Sequence, residues 1–330
     1  MLIAGDIGGT KASLALYDLQ NGARHPIHQR TYHSADHAGL AEIVRDFLTT
    51  THQPVKVGCF AVAAPVIAGL ARFTNLPWVV DEASLCRDLG LERVTLLNDL
   101  QALAYAVPHL RDDDVHVLNA GIAVPRGPIG VIAPGTGLGE AFLVWAGDRY
   151  LACASEGGHT DFAPANDTQA AMLAYLQQRH AHVSYEMVCS GLGLPNIYGF
   201  LRDGGDHTEP PEFAAELAAA DDRTPLILQA ALQPGPAHRL CAVALDIFIA
   251  CLGAEAGNLA LKVLATGGIY FGGGIPPRIL PQLDDGRLLS AFTAKGRYHD
   301  MLQNIPLKIV TSSAGLLGAA LYGLDDLRHT

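Results

Sequence analysis

The sequence predicts an internally duplicated α/β protein, two lobes around a cleft, and three stretches carry that expectation. Val94–Asp99 opens as an apolar, β-branched run and reads as a buried strand, and Leu100–Tyr105 continues it at helical spacing as far as Pro108. Gly5-Asp6-Ile7-Gly8-Gly9-Thr10 links two apolar runs, the second alternating, so it reads as a glycine-rich β-hairpin. Pro134-Gly135-Thr136-Gly137-Leu138-Gly139 sits in the same context further on. Two hairpin-led α/β patterns in one chain are stronger testimony than either loop alone. In open α/β sheets the carboxyl ends of strands are where ligands bind. Asp99 at such an end faces either a ligand or the first amides of its own helix.

The remaining elements follow in order. Leu2–Asp6 and Lys11–Asp18 flank the first hairpin, and His25–His33 alternates as a third strand. Leu40, Ile43, Val44, Phe47 and Leu48 mark an amphipathic helix, and Val55–Ala64 a buried strand. Asn75–Trp78 is a loop, and Asp81 caps a helix that ends at Gly90. The pattern restarts past Asp112–Asp114 with strands over Val115–Leu118, Gly130–Ala133, Glu140–Trp145 and Tyr150–Ser155. Period-two alternation after Gly139 argues against a dinucleotide fingerprint, and no P-loop motif precedes a helix anywhere. Glu156-Gly157-Gly158-His159 brings a carboxylate and an imidazole onto one turn, Asp167–His180 is a helix, and Ser184 caps another that contains Glu186. Arg202–Glu212 reads as a polar surface loop. Residues 237–261 form a helix apolar almost all round, hence a core element or a subunit interface. Leu264–Thr266 is a strand, Gly267-Gly268 and Gly272–Gly274 make a third glycine cluster, and Leu307–Thr311 is the last strand. Gly315 and Gly318 in the final helix permit close packing.

Composition narrows the function classes. The 330 residues are only 17% charged, mean hydropathy is +0.21, and the net charge is −11 without a Lys/Arg cluster. Neither nucleic acid nor an anionic membrane is an expected partner. No run of about 18 apolar residues occurs, so no transmembrane helix is expected, and Met1–Asp6 lacks the features of a signal peptide. Six scattered cysteines suit a reducing, cytoplasmic setting. A protein this acidic binds phosphate through local backbone N–H groups and a metal cation. Tight glycine turns supply such N–H nests, and Asp6 is placed to hold Mg²⁺ through water; an ordinary hairpin turn uses the same glycines.

Taken together, the motifs resemble the sugar-kinase/actin/Hsp70 superfamily, and more closely the bacterial glucokinase family of the ATP-dependent, non-zinc type. The resemblance rests on residues 5–10, Leu-Leu-Asn-Asp at 96–99, residues 134–139, Glu-Gly-Gly-His at 156–159, Tyr-Glu-Met-Val-Cys-Ser-Gly-Leu-Gly-Leu at 185–194 and Gly-Gly-Ile-Tyr at 267–270. These motifs span nearly the whole chain in the family's order.

The resemblance implies a duplicated ribonuclease H-like (actin-like ATPase) fold. Its small domain would hold residues 1–109 plus 308–330, its large domain 110–307. It implies that Asp99 is the general base on the 6-hydroxyl of D-glucose, and that Asn98, Asp99, Glu156, His159 and Glu186 bind the sugar. Gly5, Asp6, Ile7, Gly8, Gly9, Thr10, Gly135, Thr136, Gly137, Gly267 and Gly268 would hold ATP, with Asp6 orienting Mg²⁺. The product would be glucose 6-phosphate in the first step of glycolysis, and the enzyme a cytoplasmic homodimer. No zinc is expected, because Asp161–Asp167 holds no cysteine. Lys11 departs from the Asn usual in this type, and the 202–212 stretch is longer than typical. Rival expectations are a kinase for another hexose or an N-acetylhexosamine, and a non-catalytic sugar sensor. A sensor of that kind carries a DNA-binding segment ahead of the hairpin, which here starts at Gly5.

Overall fold

The computed structural model describes every residue except 52, 74–75, 206–208, 234, 236–237 and 329–330. The chain forms two units, Met1–Arg111 with Ser312–Thr330, and Asp112–Thr311. In the first, β1 (Leu2–Ile7) and β2 (Lys11–Tyr17) pair antiparallel across Gly8–Thr10, as the hairpin reading expects. β3 (His28–His33) adds to β2. The helix α1 (Leu40–Thr49) buries Leu40, Ile43, Val44 and Phe47, the stripe its spacing foretells. β4 (Val57–Val62), buried at every residue, runs parallel to β1. A small sheet of β5 (Val66–Ile67), β6 (Leu70–Arg72) and β7 (Val79–Asp81) follows, which the sequence did not reveal. The loop expected at 75–78 falls partly on residue 75, outside the described residues; within it Trp78 donates its indole N–H to the His37 carbonyl. The helix α2 (Glu82–Leu89) begins where the Asp81 carboxylate accepts the Ser84 N–H, and it closes on Gly90 at φ 67°.

β8 (Arg93–Asn98) then runs parallel to β4 and passes directly into α3 (Asp99–Ala106). The sheet order is β3-β2-β1-β4-β8. Ile7, Val62 and Asn98 share one register. The first glycine turn and the start of α3 therefore leave the sheet at the same edge.

The second unit repeats the plan. β9 (Val115–Asn119) precedes β10 (Ile129–Pro134), β11 (Leu138–Ala146) and β12 (Arg149–Ser155), and the last three form an antiparallel meander. The helices α4 (Asp167–Gln177), α5 (Glu186–Cys189), α6 (Gly193–Gly204), α7 (Pro211–Ala219), α8 (Thr224–Ala231) and α9 (Arg239–Val263) come next. Ser184 does not cap α5: the preceding residue Tyr185 is already helical, the start has no side-chain cap, and Ser184 is buried in a bridge to Asp161. Nor is 202–212 one long loop, since α6 reaches Gly204 and α7 starts at Pro211; residues 206–208 lie outside the described ones. The helix α9 is long and apolar enough to cross a membrane, yet it is mostly buried in the core of this unit. It ends at Leu264, whose φ of 51° turns the chain away. The next strand is consequently β13 (Gly268–Phe271), not residues 264–266. Helices α10 (Leu280–Leu283), α11 (Arg287–Thr293) and α12 (His299–Gln303) lead to β14 (Leu307–Val310).

The second sheet runs β12-β11-β10-β13-β14-β9. Its first five strands, a meander followed by two parallel neighbours, reproduce the first sheet's order and sense. β9 is added antiparallel at the edge. The duplication expected from the two hairpins is thus present strand for strand.

The last strand was expected beside the first domain. β14 instead pairs with β13 and β9 in the second unit, and only α13 (Ala314–Arg328) returns to the first. There Leu316, Ala319, Ala320 and Leu324 pack with Leu2, Ala4, Cys59 and Ala102. Two glycines make the approach possible: a Cβ at Gly318 would strike the Ala102 carbonyl, and one at Gly315 would lie 2.7 Å from an Asp6 carboxylate oxygen. Gly318→Ala is therefore expected to lower stability by about 1–3 kcal/mol, the usual cost of overpacking, read as a lower urea midpoint. An unshifted midpoint would show that α13 and α3 tolerate separation.

Candidate functional site

In the first unit the site grows from the shared edge of β1 and β8. The turn at Gly8–Thr10 is closed by the Gly8 N–H donating to the Lys11 carbonyl at 2.8 Å. It is clamped from outside by Ser34, which is fully buried: its hydroxyl donates to the Gly8 carbonyl at 2.8 Å and its N–H to the Thr10 carbonyl at 2.9 Å. Nothing in the sequence around Ser34 marks it for this role. The N–H groups of Gly9 and Thr10 have no acceptor among the described residues. Two adjacent unpaired N–H groups on a rigid turn suit a phosphate. Lys11 is exposed at the start of β2.

Two members of this expected nucleotide motif belong to the scaffold. Gly5 lies within β1, where a Cβ would meet Leu14 at 2.7 Å and Phe60 at 2.8 Å. Ile7 is wholly buried in the core, and its carbonyl accepts the Ala63 N–H. Their residue types answer to packing.

Asn98 is the N-cap of α3. Its Oδ1 accepts the Leu100 N–H at 3.0 Å, and its Nδ2 donates to the Ala64 carbonyl at 3.2 Å. Asp99 is the first helical residue; its Oδ1 also accepts the Leu100 N–H, at 2.8 Å, and its side chain is exposed. The capping role thus falls on Asn98, and the Asp99 carboxylate projects from the sheet edge. Although its side chain reaches solvent, the protein around it thins its hydration and raises the Asp99 carboxyl above its ordinary value, opposed first by the Leu100 N–H. Asp6 is pushed up to about 6, first by burial and then by the charge of Asp99. No described donor or cation satisfies Asp6. A carboxylate of this kind suits a hard cation such as Mg²⁺, which takes one or two carboxylates and completes its shell with water and phosphate oxygens.

In the second unit, turn Gly135–Gly137 is closed by the Gly135 N–H on the Gly137 carbonyl at 2.9 Å. The neighbouring segment clamps it, the Gly191 N–H donating to the Gly135 carbonyl at 2.7 Å and the Leu192 N–H to the Thr136 carbonyl at 3.1 Å. The N–H groups of Thr136 and Gly137 again have no acceptor among the described residues. Glu186, at the head of α5, joins this turn to the Glu156–His159 turn. Its Oε2 accepts the Leu138 N–H at 2.9 Å, while its Oε1 stands 3.9 Å from His159 Nδ1. His159 Nε2 is 4.0 Å from Glu156 Oε2, so the imidazole lies between two carboxylates. A Cβ at Gly137 would strike Glu186 Oε2, so glycine there lets the Glu186 carboxylate keep its place against the turn. Gly157 and Gly158 let their turn rest on β11, against Glu140 and the Leu138 carbonyl. Glu156, 88% exposed, and His159, 59% exposed, offer a carboxylate and an imidazole in one cluster; Glu186, 21% exposed, anchors it. Such a cluster matches a ligand rich in hydroxyl groups.

Gly267 and Gly268 are not part of this cluster. Gly268 pairs opposite Ile129, and the Gly267 N–H donates to the Pro128 carbonyl, which puts both at the amino end of β10 and β13. The turn Gly135–Gly137 lies beyond the carboxyl end of β10. Gly272–Gly274 are the glycines at that end: the Gly272 N–H donates to the Ile132 carbonyl, and a Cβ at Gly273 would strike the Pro134 carbonyl. Gly274 faces open space.

A sequence profile of the Glucokinase family matches residues 3–325. The glucokinase of Nostoc punctiforme is 41% identical over 335 residues, covering 97% of this chain and 98% of its own length. A glucokinase crystal structure from an Antarctic psychrotroph superposes with a TM-score of 0.80 at 32% identity, covering 98% of both chains. A glucokinase of the ROK family from Streptomyces griseus, in complex with glucose and AMPPNP, shares the fold with a TM-score of 0.63 at 19% identity, over 98% of this chain and 99% of its own.

Asp6 is expected to sense the charge of Asp99. In a carboxyl-carbon NMR titration Asp6 should titrate at about 6, and Asp99→Asn should lower that value. The raised value favours the neutral form, so its contribution to stability is present at acid pH and is lost as pH rises through about 6. An Asp6 titration unmoved by Asp99→Asn would separate the pair.

Proposed function

The chain belongs to the glucokinase family and is an ATP-dependent glucose kinase; on that premise we propose that Asp99 is the general base which activates the sugar's 6-hydroxyl. The observation that carries this reading is the placement of Asp99: an exposed carboxylate at the sheet edge that also bears the glycine turn, with the capping duty taken by Asn98. Asp99 accepts the hydroxyl proton as the sugar oxygen bonds to the γ-phosphorus, and the bridging oxygen leaves with ADP. In phosphoryl transfer, positioning and charge neutralisation provide most of the acceleration.

The N–H groups of Gly9, Thr10, Thr136 and Gly137 hold phosphate oxygens. Asp6 would hold Mg²⁺ through water, and the cation would supply charge neutralisation at the phosphates. The nucleoside rests on Gly272–Gly274, whose backbone flanks the second turn, and not on Gly267-Gly268. Glu156, His159 and Glu186 bind the other sugar hydroxyls. Asn98 assists from its cap position, where its amide holds Asp99 in place. A site that pairs specific hydroxyls rejects epimers, because a mismatched sugar leaves its polar groups unpaired. The enzyme acts in the cytoplasm, in keeping with six unpaired cysteines, and as a homodimer, as the family resemblance implies.

Asp99→Asn is expected to lower kcat by about 10²–10⁴, the scale of a general base, while calorimetry finds glucose binding retained. Near-normal turnover would remove Asp99 from the role. Glu156→Gln is expected to raise the glucose KM and to narrow the preference for glucose over other hexoses in an ADP-release panel. An unchanged KM would take Glu156 out of the sugar site.

A further inference from the structure

Beneath the Glu156–His159 turn lies a second pair of carboxyls that the mechanism does not use. Glu140, on β11, is 1% exposed and Glu255, on α9, is fully buried. Both Glu255 oxygens have donors: Asn258 Nδ2 donates to Oε2 at 2.8 Å, and Lys262 Nζ stands 3.3 Å from Oε1. Glu140 Oε1 is buried and has no hydrogen-bond partner. Its Oε2 lies against Gly157, at the spot a Cβ there would occupy. A buried carboxyl without a donor, facing a second carboxyl, is satisfied if it carries the proton and donates it.

We propose that Glu140 and Glu255 share one proton, carried by Glu140, and that this pair positions the Glu156–His159 turn for glucose. Glu140 is a positioning residue: the backbone of the turn rests on its carboxyl at Gly157, between Glu156 and His159.

The surroundings support the assignment. Burial foremost, then the charge of Glu255, pushes Glu140 up to about 8, opposed by Lys262. The other groups around the pair are Asn258 from α9, Tyr185 and Cys189 from the α5 segment, and Lys295. Lys295 Nζ donates to Asn258 Oδ1 at 2.6 Å, which directs the Asn258 amide toward Glu255 and Tyr185. No described donor turns toward Glu140. The neutral form is the stable one, so its contribution is complete at acid pH and is lost as pH rises through about 8. Above that value two adjacent buried anions repel, and the turn above them is displaced.

The inference rests on Glu156 and His159 being sugar contacts, and its test separates the two ideas. Glucose affinity of the intact enzyme is measured by calorimetry from neutral to alkaline pH. The wild type is expected to lose about tenfold in affinity as Glu140 ionises, the scale of leaving a buried polar group unpaired. In Glu140→Gln, which keeps a neutral donor toward Glu255, that alkaline loss should vanish. Infrared spectra of the wild type at neutral pH should carry a protonated-carboxyl band that Glu140→Gln removes. A pH-independent affinity in the wild type, an alkaline loss retained in Glu140→Gln, or a spectrum without the band would overturn the proposal. Glu156→Gln at neutral pH supplies the distinction. Weakened glucose binding there upholds the sugar-site reading even if the proton pair fails, and unchanged binding overturns both.

Discussion

Parallel pairing of β1, β4 and β8 is the constraint on which the first half of the site depends. With Ile7, Val62 and Asn98 in one register, the glycine turn and the head of α3 have to emerge at the same edge. A slip of one residue would exchange the faces of a strand. Such a slip would carry Asp6 from its place beside Gly315 into the core of the opposite face. The same logic runs through the second sheet, where β10 and β13 in register place Gly135–Gly137 and Gly272–Gly274 at one end. Duplication of the strand order thus yields two turns of the same kind, each closed by one of its own N–H groups and each left with two adjacent N–H groups to offer.

Electrostatics distinguishes the two halves. The first unit places Asp6 close enough to Asp99 that the charge of Asp99 resists ionisation of Asp6, an arrangement that a cation would relieve. The second unit keeps its exposed carboxylates apart, with His159 between Glu156 and Glu186, and confines its close carboxyl pair to the interior. In the proposed reading one unit serves the phosphates and the proton transfer, the other the neutral hydroxyls of the sugar.

The hairpins, α1, α2, and the passage from β8 to α3 were legible in the sequence because period-two and period-3.6 patterns meet there at glycine and Asn/Asp boundaries. Other features were not. Gly267-Gly268 and Gly272–Gly274 flank a short strand, and only its register against β10 shows which pair stands beside the second turn. Asn98 and Asp99 are equally good capping residues, and the choice between them was settled by which backbone stays extended. Gly5, Gly157 and Gly158 look like loop glycines, but their reason is contact with Phe60, Glu140 and Leu138, residues distant in the chain. The Glu140–Glu255 pair has no local signature, since a strand and a helix far apart in sequence bring it together.

The central claim, that Asp99 in its anionic form draws the proton from the sugar, is tested most directly by the single-turnover rate of glucose 6-phosphate formation as a function of pH. If Asp99 is the base, the rate rises from acid to neutral pH with a slope of one proton to a plateau, its midpoint above the ordinary carboxylate value because loss of hydration raises Asp99. A rate that holds constant through that range, with phosphoryl transfer established as the step observed, would contradict it.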